Sequence, residues 1–270
     1  MRIVPYEKVN GVIINYQLSG EGKEVLVILN GIMMSTTSWN DIIPAYDKYF
    51  RVLRVDFRNQ GQSQYVDDYF PIDIHIEDLK QLLDRLGITK ASFLGISYGA
   101  KVAMLFTLAY PHSVKSLVVC NTTARVTKHL RAIGDSWDEA ARLYDGERFF
   151  KLVMPFIYSS CFYEKNYKWI KERENMFGRI LNKEWFEAYL RLSASTADYD
   201  IVDKLNQILT PTLCIASSMD IITPVAEVRM IHEGIPNSSF VIIPDAGHAC
   251  CYERKEEFNT AVLGFLLHNR

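Results

Sequence analysis

The sequence predicts an α/β fold: a mostly parallel sheet of eight strands, opened by an antiparallel hairpin, covered by helices on both faces and interrupted by an inserted helical unit. Three observations predict it. Short apolar runs rich in β-branched residues recur along the chain, amphipathic helical patterns separate them, and between about Arg125 and Asp200 the strand runs stop. Strand alternating with helix implies parallel pairing, because a parallel neighbour needs a crossover long enough to hold a helix. With 270 residues, 49% of them hydrophobic, the chain can bury a sizeable core as one domain carrying an insertion.

The first two segments, Ile3 to Val9 and Val12 to Leu18, flank Asn10-Gly11, a dipeptide that tolerates positive φ and so closes a two-residue hairpin. Six runs follow: "VLVIL" (Val25 to Leu29), "RVLRVDF" (Arg51 to Phe57), "ASFLGI" (Ala91 to Ile96), "SLVVC" (Ser116 to Cys120), "TLCIA" (Thr212 to Ala216) and "FVIIP" (Phe240 to Pro244). Their lack of alternation marks strands buried on both faces. Between them, "DIHIEDLKQLLDRLG" (Asp73 to Gly87) sets Ile76, Leu79, Leu82, Leu83 and Leu86 on one helical stripe, with Gly87 as its stop. Residues 125–200 turn to helix formers mixed with rings: fourteen of the chain's 33 aromatics fall between Trp137 and Tyr189. The expected organisation is a core of residues 1–124 and 201–270 with a helical cap at 125–200, its rings offering an apolar face to a cleft below.

Charged residues make up 23% of the chain and the net charge is −2, so no basic field exists to hold a nucleic acid. The N-terminus alternates apolar and polar residues rather than forming a signal peptide's continuous apolar stretch, and no run approaches a membrane span. A soluble cytoplasmic protein without a membrane partner is expected. Cys120, Cys161, Cys214, Cys250 and Cys251 are odd in number and lack a C-x-x-C pair, which predicts reduced, mostly buried thiols. Cys250 and Cys251 beside His248 lack zinc-site spacing, so no metal is expected.

One stretch carries chemistry. "FLGISYGAKVAM" runs as strand, Gly95-Ile96-Ser97-Tyr98-Gly99, then helix, which is the G-x-S-x-G elbow in its required setting. The glycines make room for a tight turn that lifts Ser97 Oγ clear of the sheet, and the helix N-terminus behind it presents the N–H of Tyr98 to a developing oxyanion. A serine alcohol needs a base and the base an orienting carboxylate. "TLCIASSMDIITP" places Asp220 after a strand, and "FVIIPDAGHACCYE" places His248 in the loop before the last helix, in the chain order Ser, Asp, His. Asp245 and Asp198 compete with Asp220 for the carboxylate role.

On these residues the chain resembles the capped α/β-hydrolase superfamily, over its whole length outside the cap. "VILNGIMMSTTSW" resembles the family's loop after the third strand, which implies that Ile32 donates a second oxyanion N–H. "VDFRNQGQS" resembles D-x-R-G-x-G-x-S at Asp56, Arg58, Gly61 and Ser63, where Asp56 and Arg58 are expected to brace loops. "DAGHACCYERKEEF" resembles the G-H-x-x-x-x-E-x-P-x-x-F ending through Glu253 and Phe258, with Lys255 in place of proline. Asn30 stands where histidine is usual and Asn59 where glycine is. Asparagine before the oxyanion residue resembles 3-oxoadipate enol-lactonases, and other features resemble carboxylesterase-like members. Asn30, Met33, Met34 and Tyr98 are expected at the substrate pocket, with Ile32 and Tyr98 forming the oxyanion hole.

The expected activity is hydrolysis of a carboxylic ester or lactone through an acyl-enzyme, with Ser97 as nucleophile, His248 as base and Asp220 as its orienter, and no cofactor. The alternatives are a thioesterase or enol-lactonase, a carbon–carbon bond hydrolase, a cofactor-free peroxidase or lyase, and, from another class, a receptor that binds a small signal in the pocket and passes the event on through the cap. The branch with an aspartate nucleophile is disfavoured, since Ser97 holds that position. The expected partner is a small-molecule ester, thioester or lactone with an apolar or aromatic group.

Overall fold

Asn10 and Gly11 both adopt positive φ (46° and 81°) and join β1 (Tyr6–Val9) to β2 (Val12–Ser19) with Val9 opposite Val12 in antiparallel register. The computed structural model describes residues 5–270, so the expected beginning of this hairpin at Ile3 lies outside the described residues. The strands β3 (Glu24–Leu29), β4 (Phe50–Val55), β5 (Ala91–Ile96), β6 (Val114–Cys120), β7 (Thr212–Ser217) and β8 (Ser238–Ile243) complete an eight-stranded sheet in the order β1-β2-β4-β3-β5-β6-β7-β8. β2 pairs antiparallel with β4, and every later pairing is parallel.

Helices cover both faces. On one lie α2 (Ile74–Arg85), α3 (Tyr98–Ala109) and α9 (Val225–Gly234), whose Leu79, Leu82, Val102, Phe106, Val228 and Ile231 pack against inward residues of the strands. On the other lie α1 (Pro44–Asp47), α10 (Cys250–Glu253) and α11 (Lys255–His268), with Tyr46, Phe258, Val262 and Leu266 packed under Leu26, Ile28, Leu94 and Ile215. Strands covered on both sides explain why β3, β5 and β7 read as unbroken apolar runs. β8 departs from that expectation: it is the sheet's last strand, Phe240 and Val241 are only half-buried, and Ile242 is exposed.

The α2 stripe is also rotated from the expected one. Leu79, Leu82 and Leu83 are buried, but Ile76 and Leu86 are only half-buried, and the polar His75 and Asp78 are buried beside the leucines. Asp78 is there because Arg58 pairs with it through two hydrogen bonds of 2.6 and 2.7 Å. Gly87, at φ 66°, follows the helix end.

Between β6 and β7 the chain forms α4 (Lys128–Ala141), α5 (Gly146–Ile157), α6 (Ser160–Lys165), α7 (Tyr167–Ile180) and α8 (Lys183–Ala194). Thr127, Asp145, Ser159 and Asn182 cap four of these by accepting a backbone N–H, which is why short helices start sharply at those residues. Their rings form one cluster: Phe149 is fully buried with Trp185, Phe186 and Tyr189 packed edge-on around it. An antiparallel bridge between Arg125 and Asp200 joins the two ends of the excursion. No helix among the described residues is long and apolar enough to cross a membrane.

Candidate active site

β5 ends at Ile96 and α3 begins at Tyr98, leaving Ser97 alone in the turn at φ 53°, ψ −113°. That conformation is strained for a residue with a side chain, and persists only where the surroundings enforce it. Here Ser97 N donates to Cys120 O at 2.9 Å, and Ser97 O accepts from the N–H groups of Ala100 and Lys101 and from Thr122 Oγ1. The flanking glycines are required sterically: a Cβ on Gly95 would lie 2.5 Å from Gly99 O, and one on Gly99 would lie 2.3 Å from Leu29 O.

His248 Nε2 stands 2.9 Å from Ser97 Oγ, and His248 Nδ1 stands 2.8 Å from Asp220 Oδ2. A carboxylate only accepts, so Nδ1 carries the proton and Nε2 is left as the acceptor for the serine hydroxyl. Asp220 is itself fixed by the N–H groups of Ile222 and Thr223, at 2.8 and 3.0 Å, and by Thr223 Oγ1 at 2.7 Å. Burial pushes the Asp220 carboxyl up, but the facing histidine and these donors outweigh it, and its pKa lies below the ordinary value. Asn121 Nδ2 donates to His248 O at 2.8 Å, and Glu253 accepts from Gly247 N, so the loop carrying His248 is tied on both sides. The competing carboxylates stand elsewhere: Asp245 is exposed and pairs with Arg254, and Asp198 is exposed.

The N–H groups of Ile32 and Tyr98 have no acceptor among the described residues. Gln60 Nε2 donates to the carbonyls of Gly31 and Ile32, at 2.8 and 3.2 Å, and so sets the orientation of that peptide. Asn30 does not line the pocket, contrary to expectation. It is fully buried, accepts from Trp39 Nε1 at 2.7 Å, and donates to Val55 O, Asp56 Oδ1 and Gln60 Oε1. A short amide at this position satisfies a ring of buried groups and leaves nothing free for a ligand. Asp56 accepts in addition from Asn15 and from the N–H groups of Thr36 and Gln62, a bracing role. The Tyr98 phenol is also committed, to His75 Nε2 at 2.8 Å and Ser195 Oγ at 2.7 Å.

Ser97 and His248 open into a cavity of about 1390 Å³ beneath the inserted helices, with Ile32, Met33 and Met34 in its wall. From above, the insertion contributes Trp137, Phe150, Tyr158, Phe177, Trp185 and Tyr189. All five cysteines are free; four are buried and Cys161 is exposed.

A sequence model described as the alpha/beta hydrolase fold matches residues 24–255. The chain belongs to the α/β-hydrolase family. Among solved structures, an alpha/beta hydrolase enzyme, MGS-M2, from a Medee basin deep-sea metagenome library is 36% identical, with a TM-score of 0.94 over 97% of each chain. Among curated relatives, a 2-hydroxy-6-oxononadienedioate/2-hydroxy-6-oxononatrienedioate hydrolase of Paraburkholderia phymatum is 27% identical over 94% of this chain and 90% of its own. The 3-oxoadipate enol-lactonase 1 of Acinetobacter baylyi is 26% identical over 95% of this chain and 94% of its own.

The places where this α/β-hydrolase departs from the family's usual residues have local causes. Asn59 adopts φ 62°, which asparagine tolerates better than most residues, and its amide makes two hydrogen bonds to Val66. Lys255 opens α11, a position where proline is favoured because no N–H is needed but where other residues serve. Three supporting residues escaped the sequence reading: Gln60, Thr223 and Asn121. Gln60 lies within the quoted "VDFRNQGQS" and Thr223 three residues after Asp220, but a neutral amide or hydroxyl acting on backbone or carboxylate leaves no spacing pattern.

Proposed function

We propose that this α/β-hydrolase is a serine hydrolase of carboxylic esters or lactones, with Ser97, His248 and Asp220 as its catalytic residues. The observation that carries the reading is the unbroken hydrogen-bonded series from Ser97 Oγ through both imidazole nitrogens to Asp220, at 2.9 and 2.8 Å. His248 Nε2 takes the hydroxyl proton as Oγ attacks the carbonyl carbon, and the adjacent Asp220 carboxylate stabilises the imidazolium. The negative charge arriving on the carbonyl oxygen is met by the N–H groups of Ile32 and Tyr98, each donor contributing about 3 kcal/mol to lowering the barrier. His248 then gives the proton to the leaving alkoxide. Water, deprotonated by the same imidazole, attacks the acyl-enzyme and releases the acid.

Lactones stand beside open-chain esters because ring opening uses the same steps, and because the 26% identical relative from Acinetobacter baylyi is an enol-lactonase. Thioesters differ only in the leaving atom. A panel of esters, thioesters and lactones ranks the three by kcat/KM. The nucleophile is tested with a fluorophosphonate probe: a phosphonyl group is expected on Ser97, located by peptide mass spectrometry, and is expected to be absent from Ser97→Ala. Labelling that persists in the variant overturns the assignment. Binding of a small molecule without turnover of any member of the panel would instead favour a receptor.

A further inference from the structure

α3 reads "YGAKVAMLFTLA", and Lys101 is its single charged residue. It lies one helical turn beyond Ser97, an axial rise of about 6 Å. Because helical side chains lean toward the N-terminus, that of Lys101 is directed back toward the serine end of the helix. The residue is only 7% exposed, yet it lines the same cavity as Ser97 and His248.

Lys101 makes no hydrogen bond to side chain or carboxylate among the described residues; its ammonium rests over the ring of Tyr199, 5.1 Å from the centroid. Burial lowers its pKa, to about 8, and Lys101 forms no ion pair among the described residues. An ammonium held away from water without a counter-charge is costly, and proteins ordinarily pair such a group or leave it out. Val126, Thr196 and Ala197 also line the cavity, as does Arg131, which donates to Ala197 O at 2.8 Å. The acidic residues that line the cavity are Asp41, Asp56, Asp135, Asp138 and Glu184, and none of them forms an ion pair with Lys101 among the described residues.

We infer that Lys101 anchors a carboxylate of the substrate, which sits a short spacer away from the carbonyl that Ser97 attacks. The inference rests on the serine hydrolase reading for the position of that carbonyl, and adds to it the substrate class: a monoester or lactone of a dicarboxylic or keto acid, its apolar remainder against the rings of the insertion. Lys101 is then a specificity residue.

The test compares two para-nitrophenyl esters of matched length, the hydrogen glutarate and the pentanoate, in the parent protein, Lys101→Met and Lys101→Arg. The ratio of kcat/KM values, acid ester over neutral ester, is expected to fall at least tenfold in Lys101→Met, which is about 1.4 kcal/mol, through KM rather than kcat, and to be partly kept in Lys101→Arg. A ratio within twofold of the parent overturns the inference. Binding is measured separately in the Ser97→Ala background, where monomethyl glutarate is titrated by calorimetry with and without Lys101→Met; a tenfold weaker Kd is expected, and an unchanged one counts against the anchor. If no ester turns over but the Kd still depends on Lys101, the hydrolase reading fails and the anchor stands. If esters turn over and neither ratio nor Kd depends on Lys101, the reverse holds. Removing a buried charge is expected to leave Tm at or above the parent value, and Lys101→Gln, with the same loss of charge, repeats the measurement should the methionine variant fold poorly.

Discussion

Asp220 receives three hydrogen bonds from Ile222 and Thr223 besides facing His248, so its carboxylate is fixed in place before any substrate arrives. Asp220→Asn keeps the shape but puts an N–H donor where a carboxylate oxygen accepted from His248 Nδ1, so the imidazole is driven to the tautomer in which Nε2 holds the proton and no longer accepts from Ser97. On the proposed mechanism kcat is expected to drop about 10⁴-fold while KM changes little, measured on whichever ester the panel ranks first. The elbow, Asp220 and His248 were all legible because each sits in a strand-to-loop context with a defined chain order. Asn30 was not: its sequence position beside Gly31 and Ile32 suggested the pocket, but an adjacent residue in the chain faces the opposite way, and four hydrogen-bonding neighbours hold it there.

At the scale of elements, α2 shows what periodicity misses. The spacing of its leucines located the helix, but the buried face also holds a histidine whose partner, Tyr98, is distant in sequence. His75 is fully buried, and burial, with the Arg58 charge as a smaller contribution, lowers its pKa from 6.5 to about 3. The folded-state value lies below the unfolded one, so the unfolded chain takes up the proton first. The stability is present in full above pH 6.5 and is lost as pH falls toward 3. Between pH 7 and 5 this one group is expected to remove about 2 kcal/mol, read as a fall in Tm that is shallower in His75→Gln than in the parent. A slope unchanged by the substitution would assign the acid sensitivity to other groups. The strands were legible nearly to the residue where both faces are covered, and least so at β8, whose outer edge has no neighbour to require apolar residues.

At the scale of the molecule, the helical excursion and the sheet meet at Glu253. Its carboxylate accepts from Ser159 N and Ser159 Oγ at the start of α6 and from Gly247 N beside His248, so one side chain fastens the inserted helices to the loop that carries the imidazole. Glu253→Gln retains the size but places a donor where three donors converge. It is expected to lower stability by about 1–3 kcal/mol and, by loosening the His248 loop, to lower kcat for every ester in the panel by a similar factor. A loss confined to bulky substrates would instead assign Glu253 to the shape of the cavity. That the chain holds a helical excursion was visible as a change of composition, whereas the fastening was not, since it joins residues brought together only by the finished fold. The bridge between Arg125 and Asp200 brings the chain back to where it left the sheet. Lengthening or exchanging what lies between those two residues therefore alters the closure entropy of one loop only logarithmically and displaces no strand. Such a layout lets the room above Ser97 be rebuilt for a different guest while the chemistry below it stays as it is.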